Sequence, residues 1–268
     1  MKKLIFGLVC LALFSFSGET QMAYPVIKNE SFSKGEQLDY RVSFLGLNVG
    51  KAITRVDSKI YNINSRRCFK IDAFGETTGI SWIYKVNDNW GAYIDTAAMV
   101  THVSYRKIKE NNYRKDEMVS FDHVNKKAKV QVLNKEGVYE NVNEFDIPPN
   151  ATDLVGGFIQ MRFFDFKKIK IGDTVAISGF FEDTAYKLKI MYKRKETIST
   201  KIGNIPCHVM VPIMPDNKLF NGENSISVWI SDDANKIPVK IQAKMFVGHT
   251  GLELVSFRGL RNQIKIIK

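Results

Sequence analysis

Leu38-Asp39-Tyr40-Arg41-Val42-Ser43-Phe44 decides the fold class, because apolar and polar residues alternate through it without a break. A two-residue period puts one set of side chains on a core and the other in water, which is a half-buried β-strand. Working outward, the same period returns at Ala128-Lys129-Val130-Gln131-Val132, at Lys187-Leu188-Lys189-Ile190 and along Ile237 to Met245. Turn residues separate the runs: Asp122 to Asn125, Asn134-Lys135-Glu136-Gly137, Asn221-Gly222 and Asp232 to Asn235. Short connections favour antiparallel neighbours, so the expected architecture is all-β, a large antiparallel meander. Pro238 interrupts a strand-like run and is expected at an edge or bulge, since it has no amide proton for the ladder.

One segment departs from the period of two. After Pro148-Pro149-Asn150, Thr152 or Asp153 can cap a helix near 152–163. Its apolar face would comprise Leu154, Phe158 and Met161, with Val155 and Ile159 alongside. Gly156-Gly157 weakens such a helix by roughly 1 kcal/mol per glycine, so it depends on packing against the sheet.

The N-terminus reads as an export address. Met1-Lys2-Lys3 is a positive start, Leu4 to Phe16 is apolar, and Ser15-Phe16-Ser17 places small residues for cleavage near Ser17. The apolar run is shorter than the about 20 residues a membrane span needs. The expected organisation is a signal peptide at 1–17 and a single all-β domain at 18–268, periplasmic or otherwise exported and not membrane-spanning. Losing Lys2 and Lys3 takes the formal net charge from +11 to +9. Export would leave Cys68 and Cys207 in an oxidising space, either as a disulfide or as two buried thiols on different strands. Both readings stay open, because sequence carries no Cα separation.

Motifs for chemistry are missing. The chain has no Gly-x-Ser-x-Gly, no phosphate-cradling glycine loop ahead of a helix and no His-Glu-x-x-His, so no catalytic residue, metal ligand or cofactor site is nominated. His102 and His123 read as polar surface residues, and Glu36, Asp72 and Glu76 as solvated carboxylates. Asp232-Asp233 reads as a turn. The lysines at 127, 129, 187, 189, 240 and 244 occupy the polar phase of strands, where they guard against edge aggregation or attract an anionic envelope partner. Nucleic acid is disfavoured for an exported chain with no recognition motif. Tyr40, Trp82, Trp90 and Trp229 are the candidate ligand-binding residues, because a curved sheet lined with aromatics can hold a hydrophobic chain. The competing account is that they fill the core.

Five ordered blocks carry a family resemblance. They are Phe32 to Val42 with Gly46 and Gly50-Lys51-Ala52; Tyr84 to Asp88 with Tyr93-Ile94-Asp95; Thr152-Asp153-Leu154 with Gly172-Asp173; Gly203 to Pro212; and Val228 to Val239. Together, from about Phe32 to Leu254, they resemble the domain-of-unknown-function family 3108 of Gram-negative exported proteins. The resemblance implies a meander curled into a half-barrel and brings no activity, cofactor or catalytic residue. The architecture is similar to that of envelope lipoproteins associated with capsule or exopolysaccharide export. The functional expectation is a non-enzymatic envelope protein that binds a lipid, glycan or other hydrophobic or glycan-bearing molecule on its concave face. A scaffold joining an envelope protein assembly is the alternative, and an envelope hydrolase the least supported.

Overall fold

The computed structural model describes residues 24–79, 84–213, 225–244 and 248–267. The expected signal segment at 1–17, Trp82 and the expected Asn221-Gly222 turn lie outside the described residues. Eight strands come first: β1 (Gln37–Phe44), β2 (Leu47–Ile63), β3 (Arg66–Thr77), β4 (Asn87–Asp95), β5 (Thr101–Glu110), β6 (Tyr113–Asp122), β7 (Lys127–Leu133) and β8 (Tyr139–Asp146). Helix α1 (Leu154–Met161) follows. Six strands complete the chain: β9 (Thr174–Phe181), β10 (Thr184–Thr200), β11 (Gly203–Ile213), β12 (Ile226–Ser231), β13 (Pro238–Lys244) and β14 (His249–Arg258). They form one sheet in the order β8-β7-β6-β5-β4-β3-β2-β1-β14-β13-β12-β11-β10-β9, every ladder antiparallel. The meander expected from alternation is therefore observed, and β1, the opening segment, is its seam between first and last strands.

The sheet curls without closing. Its edges are β8 and β9, and the chain between them plugs the gap. Thr152 donates its amide to Ser178 O at 3.1 Å and accepts from Phe180 N at 2.9 Å, a single parallel bridge to β9. Asp153 then caps α1, its carboxylate accepting from Val155 N and Gly156 N. The helix is shorter than expected, and its buried side chains are Val155, Ile159 and Met161, while Phe158 is 40% exposed. Gly156 has a packing role: a Cβ there would lie 1.8 Å from Thr152 Oγ1 and 2.5 Å from Thr101 Oγ1. Only glycine lets the first helical turn approach β5 so closely.

Packing follows the ladder register. Val56 opposes Ile71, and Ile71 opposes Ala92, so these apolar residues share one face and meet Val155 and Ile159 of α1. Met161 packs into a second cluster with Ile190, Met210, Val228 and Ile230. Trp229 points the other way, into a cluster with Tyr40, Cys207, Val209 and Leu254. Strands β11 and β12 are thus buried on both faces. The C-terminal segment helps to cover the second face: Leu260 and Ile264 pack against it, and Asn262 N bonds Asn235 Oδ1 at 2.8 Å. Pro238 opens β13 beside a register shift, as its missing amide proton requires.

Arg162, just after α1, ties the fold together. Its guanidinium bonds Glu36 Oε1 at 2.5 Å and Oε2 at 3.0 Å, Asn235 O at 3.0 Å and Ser31 O at 2.9 Å. Both partners are buried, which corrects the reading of Glu36 as solvated. Asp72 is likewise buried, where it accepts the Tyr105 hydroxyl; Tyr105 reaches it by lying over Gly91, whose missing side chain leaves the room. The cysteines are free and buried. Cys68 on β3 and Cys207 on β11 are six strand steps apart along the sheet, about 29 Å at ~4.8 Å per step, far beyond a disulfide's reach.

Two outcomes follow from this packing. Arg162→Met should cost about 3–5 kcal/mol in chemical denaturation, because it strands a buried carboxylate. A double-mutant cycle with Glu36→Gln should be non-additive by more than about 0.5 kcal/mol; additive costs would refute the linkage. Burial pushes both thiols up to about 12, so a thiol reagent should label Cys68 and Cys207 only after denaturation, and reductant should leave the melting temperature unchanged.

Candidate functional site

Among the described residues, the three aromatic candidates Tyr40, Trp90 and Trp229 do not gather at one place. Tyr40 is buried with its hydroxyl bonded to Pro238 O at 2.9 Å, and Trp229 is buried with Nε1 bonded to Glu196 Oε2 at 3.1 Å. They share one core cluster. Trp90 stands apart on β4, stacked on Phe181 at 5.8 Å beside the Arg106 guanidinium. Arg106 is clamped by Glu117 at 2.6 Å and reaches Glu182 at 3.2 Å. The cavity these groups border, with Asp153 at its floor, measures about 30 Å³. That is space for a water or two, and an ordinary metabolite does not fit.

The larger space lies elsewhere. A cleft of about 410 Å³ opens between α1, edge strand β9, the β4–β5 turn and the N-terminal strap that precedes β1. Ile27, Ala98, Val100, Phe163 and Ile177 supply apolar walls, and Asn150, Gln160 and Ser178 supply polar groups. The volume falls within the ordinary range for small-molecule pockets. β9 is the last strand of the sheet, so beyond the Thr152 bridge its outward backbone groups near Ala176 have no strand neighbour. The cleft can offer both an apolar trough and main-chain hydrogen-bonding groups. Its walls come from five separated segments, none with a motif, so alternation and turn chemistry gave no sign of it.

Beside the strap lies a buried polar cluster. Asp95 accepts from Arg66 Nε at 2.5 Å, from the amides of Ala97 and Ala98 at 2.7 and 2.8 Å, and from His102 Nε2 at 3.3 Å. Burial works to raise the Asp95 pKa, but these donors outweigh it and hold the carboxyl at about 2. His102 and His123 are 1% and 2% exposed, not surface residues, and their rings meet edge to face at 5.4 Å. Tyr24 of the strap packs on both rings and under Arg66. Desolvation lowers both histidine pKa values, so the imidazoles are neutral at pH 7. His123 gives its Nε2 proton to Thr101 O at 2.8 Å.

A second buried histidine unit sits on β10 and β11. His208 Nδ1 meets the Tyr192 hydroxyl at 2.8 Å, its Nε2 meets Asp232 at 2.9 Å, and Phe166 stacks on the ring at 3.8 Å. Tyr192 and His208 are both 3% exposed and tie β10 to β11, while their partner Asp232 is partly exposed beside Lys195. Cys207, the neighbouring residue, faces the opposite cluster. Among the described residues, no group of three or more His, Cys, Asp and Glu is arranged to hold a metal ion.

The family model described as "Protein of unknown function (DUF3108)" matches residues 39–255. The chain belongs to the DUF3108 family. No curated protein matches it. Among solved structures, the β-barrel-like protein of domain of unknown function DUF1849 from Brucella abortus superimposes on this DUF3108 chain with a TM-score of 0.54 at 7% identity, covering 85% of this chain and 98% of that one. That likeness concerns the fold alone. A Bacteroides fragilis protein with a YmcC-like fold aligns at a TM-score of 0.31 and 12% identity, over 88% of this chain and 100% of that one, and is too distant to carry an argument. The DUF3108 fold is thus a curled, open, barrel-like sheet.

The buried histidines set an acid sensitivity. Their folded pKa values lie below the ordinary 6.5, so as pH falls the unfolded chain takes up protons first. Their contribution is complete above about pH 6.5 and is lost on acidification. Asp95, also depressed, contributes above about pH 4 and is lost as pH falls towards 2. Urea midpoints should therefore drop between about pH 7.5 and 5.5, and again below about pH 4. His102→Gln with His123→Gln should flatten the upper step relative to the parent; an unchanged step would assign it elsewhere.

Proposed function

We propose that this DUF3108 protein is a non-enzymatic, exported component of the Gram-negative cell envelope that binds the apolar part of an envelope molecule. The observation that carries the reading is the cleft of about 410 Å³ between α1 and β9, apolar along its walls and polar at Asn150, Gln160 and Ser178. The aromatic candidates Tyr40 and Trp229 are packed in a core cluster that the C-terminal residues Leu260 and Ile264 help to cover. The binding role therefore moves to the cleft at the helix. The apolar run ahead of Ser17 supports export, and no helix among the described residues is long and apolar enough to cross a membrane. A hydrolase reading has little support, because the cavity that gathers carboxylates has room only for water.

A scaffold role is the second reading, and one observation favours it. Edge strand β9 (TVAISGFF) carries no charge and no proline, whereas the opposite edge β8 carries Glu140, Glu144 and Asp146. Natural edges are usually guarded by charge or proline, so the part of β9 before the Thr152 bridge suits strand addition by a partner.

The test is a fluorescence titration with cis-parinaric acid, a conjugated fatty acid that brightens on leaving water. Saturable uptake is expected, with loss of uptake in Gln160→Trp, which fills the cleft from α1 while thermal unfolding stays unchanged. A parent protein with no saturable uptake, or a Gln160→Trp variant that binds as well as the parent, would overturn the reading.

A further inference from the structure

In an antiparallel meander alternate connections lie at the same end. Here the β1–β2, β3–β4, β5–β6 and β13–β14 connections gather at one end, and α1, Arg162 and the strap gather towards the other. Hydrogen bonds tie the described parts of these four tips together. Leu45 N bonds His249 O at 3.0 Å, Thr78 N bonds Val49 O at 2.9 Å, and Asn111 N bonds Lys85 O at 2.8 Å. The Tyr84 hydroxyl bonds Glu110 at 2.8 Å across the next tip.

The residues on this rim are the wrong ones for a solvated edge. Leu45 and Gly46 form the β1–β2 turn with φ of +51° and +81°. Such a turn favours Asn-Gly, Asp-Gly or Gly-Gly, and a leucine there is strained. The strain gains only a contact with Gly248: Leu45 stays 53% exposed and Leu47 69% exposed. Tyr84 and Tyr113 on the neighbouring tips are also exposed. Lys85, Lys109, Arg114 and Lys244 stand exposed around them. Two carboxylates stand among these four cations, Glu110 bonded by the Tyr84 hydroxyl and Asp88 by the Lys109 amide, which leaves the set net positive.

We propose that this rim docks the protein on a membrane surface carrying anionic phospholipid. Leu45, laid across Gly248 of the neighbouring tip, and Leu47 are the exposed apolar side chains at this end and would meet the acyl boundary. Tyr84 and Tyr113, apolar rings with a polar end, suit the headgroup level. Lys85, Lys109, Arg114 and Lys244 face phosphates, in keeping with an excess of 39 Lys and Arg over 28 Asp and Glu in the chain. Charge complementarity thus selects the lipid, and the exposed leucines and tyrosines select the depth. The rim is at the end away from α1, so docking does not depend on the cleft being a binding site.

The test is co-sedimentation of the exported protein, purified from the envelope, with phosphatidylcholine vesicles and with vesicles that also contain phosphatidylglycerol. Preferential binding to the anionic vesicles, weakened by salt, is expected. Leu45→Asn with Leu47→Ser should weaken it by about tenfold or more, as should Lys109→Glu with Arg114→Glu. Asparagine suits the left-handed position, so the first variant should unfold no earlier than the parent, which separates lost docking from lost folding. Gln160→Trp should sediment like the parent. Equal binding to both vesicle types, full binding by the leucine variant, or loss of binding in Gln160→Trp would overturn the proposal. So would a leucine variant that keeps vesicle binding but loses a co-purifying protein, since the rim would then belong to that protein.

Discussion

Arg162 and Glu36 form the contact on which the arrangement of this protein rests. The two residues are 126 positions apart, yet their charged groups meet inside the protein with almost no water. Burying a guanidinium and a carboxylate is costly unless every donor and acceptor is used, and Arg162 uses its own on Glu36, Asn235 O and Ser31 O. The requirement is geometric. It holds the end of α1, the start of β1, the β12–β13 turn and the N-terminal strap at fixed positions around one planar group. An open sheet has no ladder of its own to set the gap between β8 and β9, so the helix that fills this gap must be positioned by something else. The ion pair and the Thr152 bridge do it together.

The same need to fill a curled sheet explains the aromatic wealth. Tyr40, Trp229 and their neighbours bury large apolar areas, and each still finds an acceptor for its polar atom. Strands β11 and β12 have to be covered twice, once by α1 and the residues after it and once by the C-terminal segment. What stays open is a trough beside the helix, where β9 has no strand neighbour. Filling and vacancy thus have one origin: a short helix lies across a sheet wider than it can cover.

Polarity is distributed with similar economy. The buried histidines each serve as neutral hydrogen-bonding partners in strand junctions, His102 and His123 beneath Tyr24 and His208 between Tyr192 and Asp232. Several carboxylates have a basic neighbour across the ladder, as in Lys51 with Glu76 and Arg41 with Glu253. At the hairpin tips Lys85, Lys109, Arg114 and Lys244 outnumber the neighbouring carboxylates Asp88 and Glu110. The two ends of the meander have become different surfaces, one sealed by the helix and strap and one presenting turns.

Sequence by itself determined the elements. Leu38 to Phe44 reads as a strand because its period of two is local, and the turn at Asp232 to Asn235 and the cap at Asp153 are set by nearby side chains bonding their own backbone. The family blocks added the curl of the sheet. Tertiary structure alone decided which polar residues were buried. Glu36, Asp72, His102 and His123 look solvated in sequence because burial depends on partners in distant segments: Arg162, Tyr105, Asp95 and Thr101. It also decided that Cys68 and Cys207 stay apart, since strand order sets their separation and no spacing encodes it. The cleft was illegible for the same reason. Its walls are ordinary core residues of five segments, and only the width of the sheet relative to one eight-residue helix leaves them facing an open space.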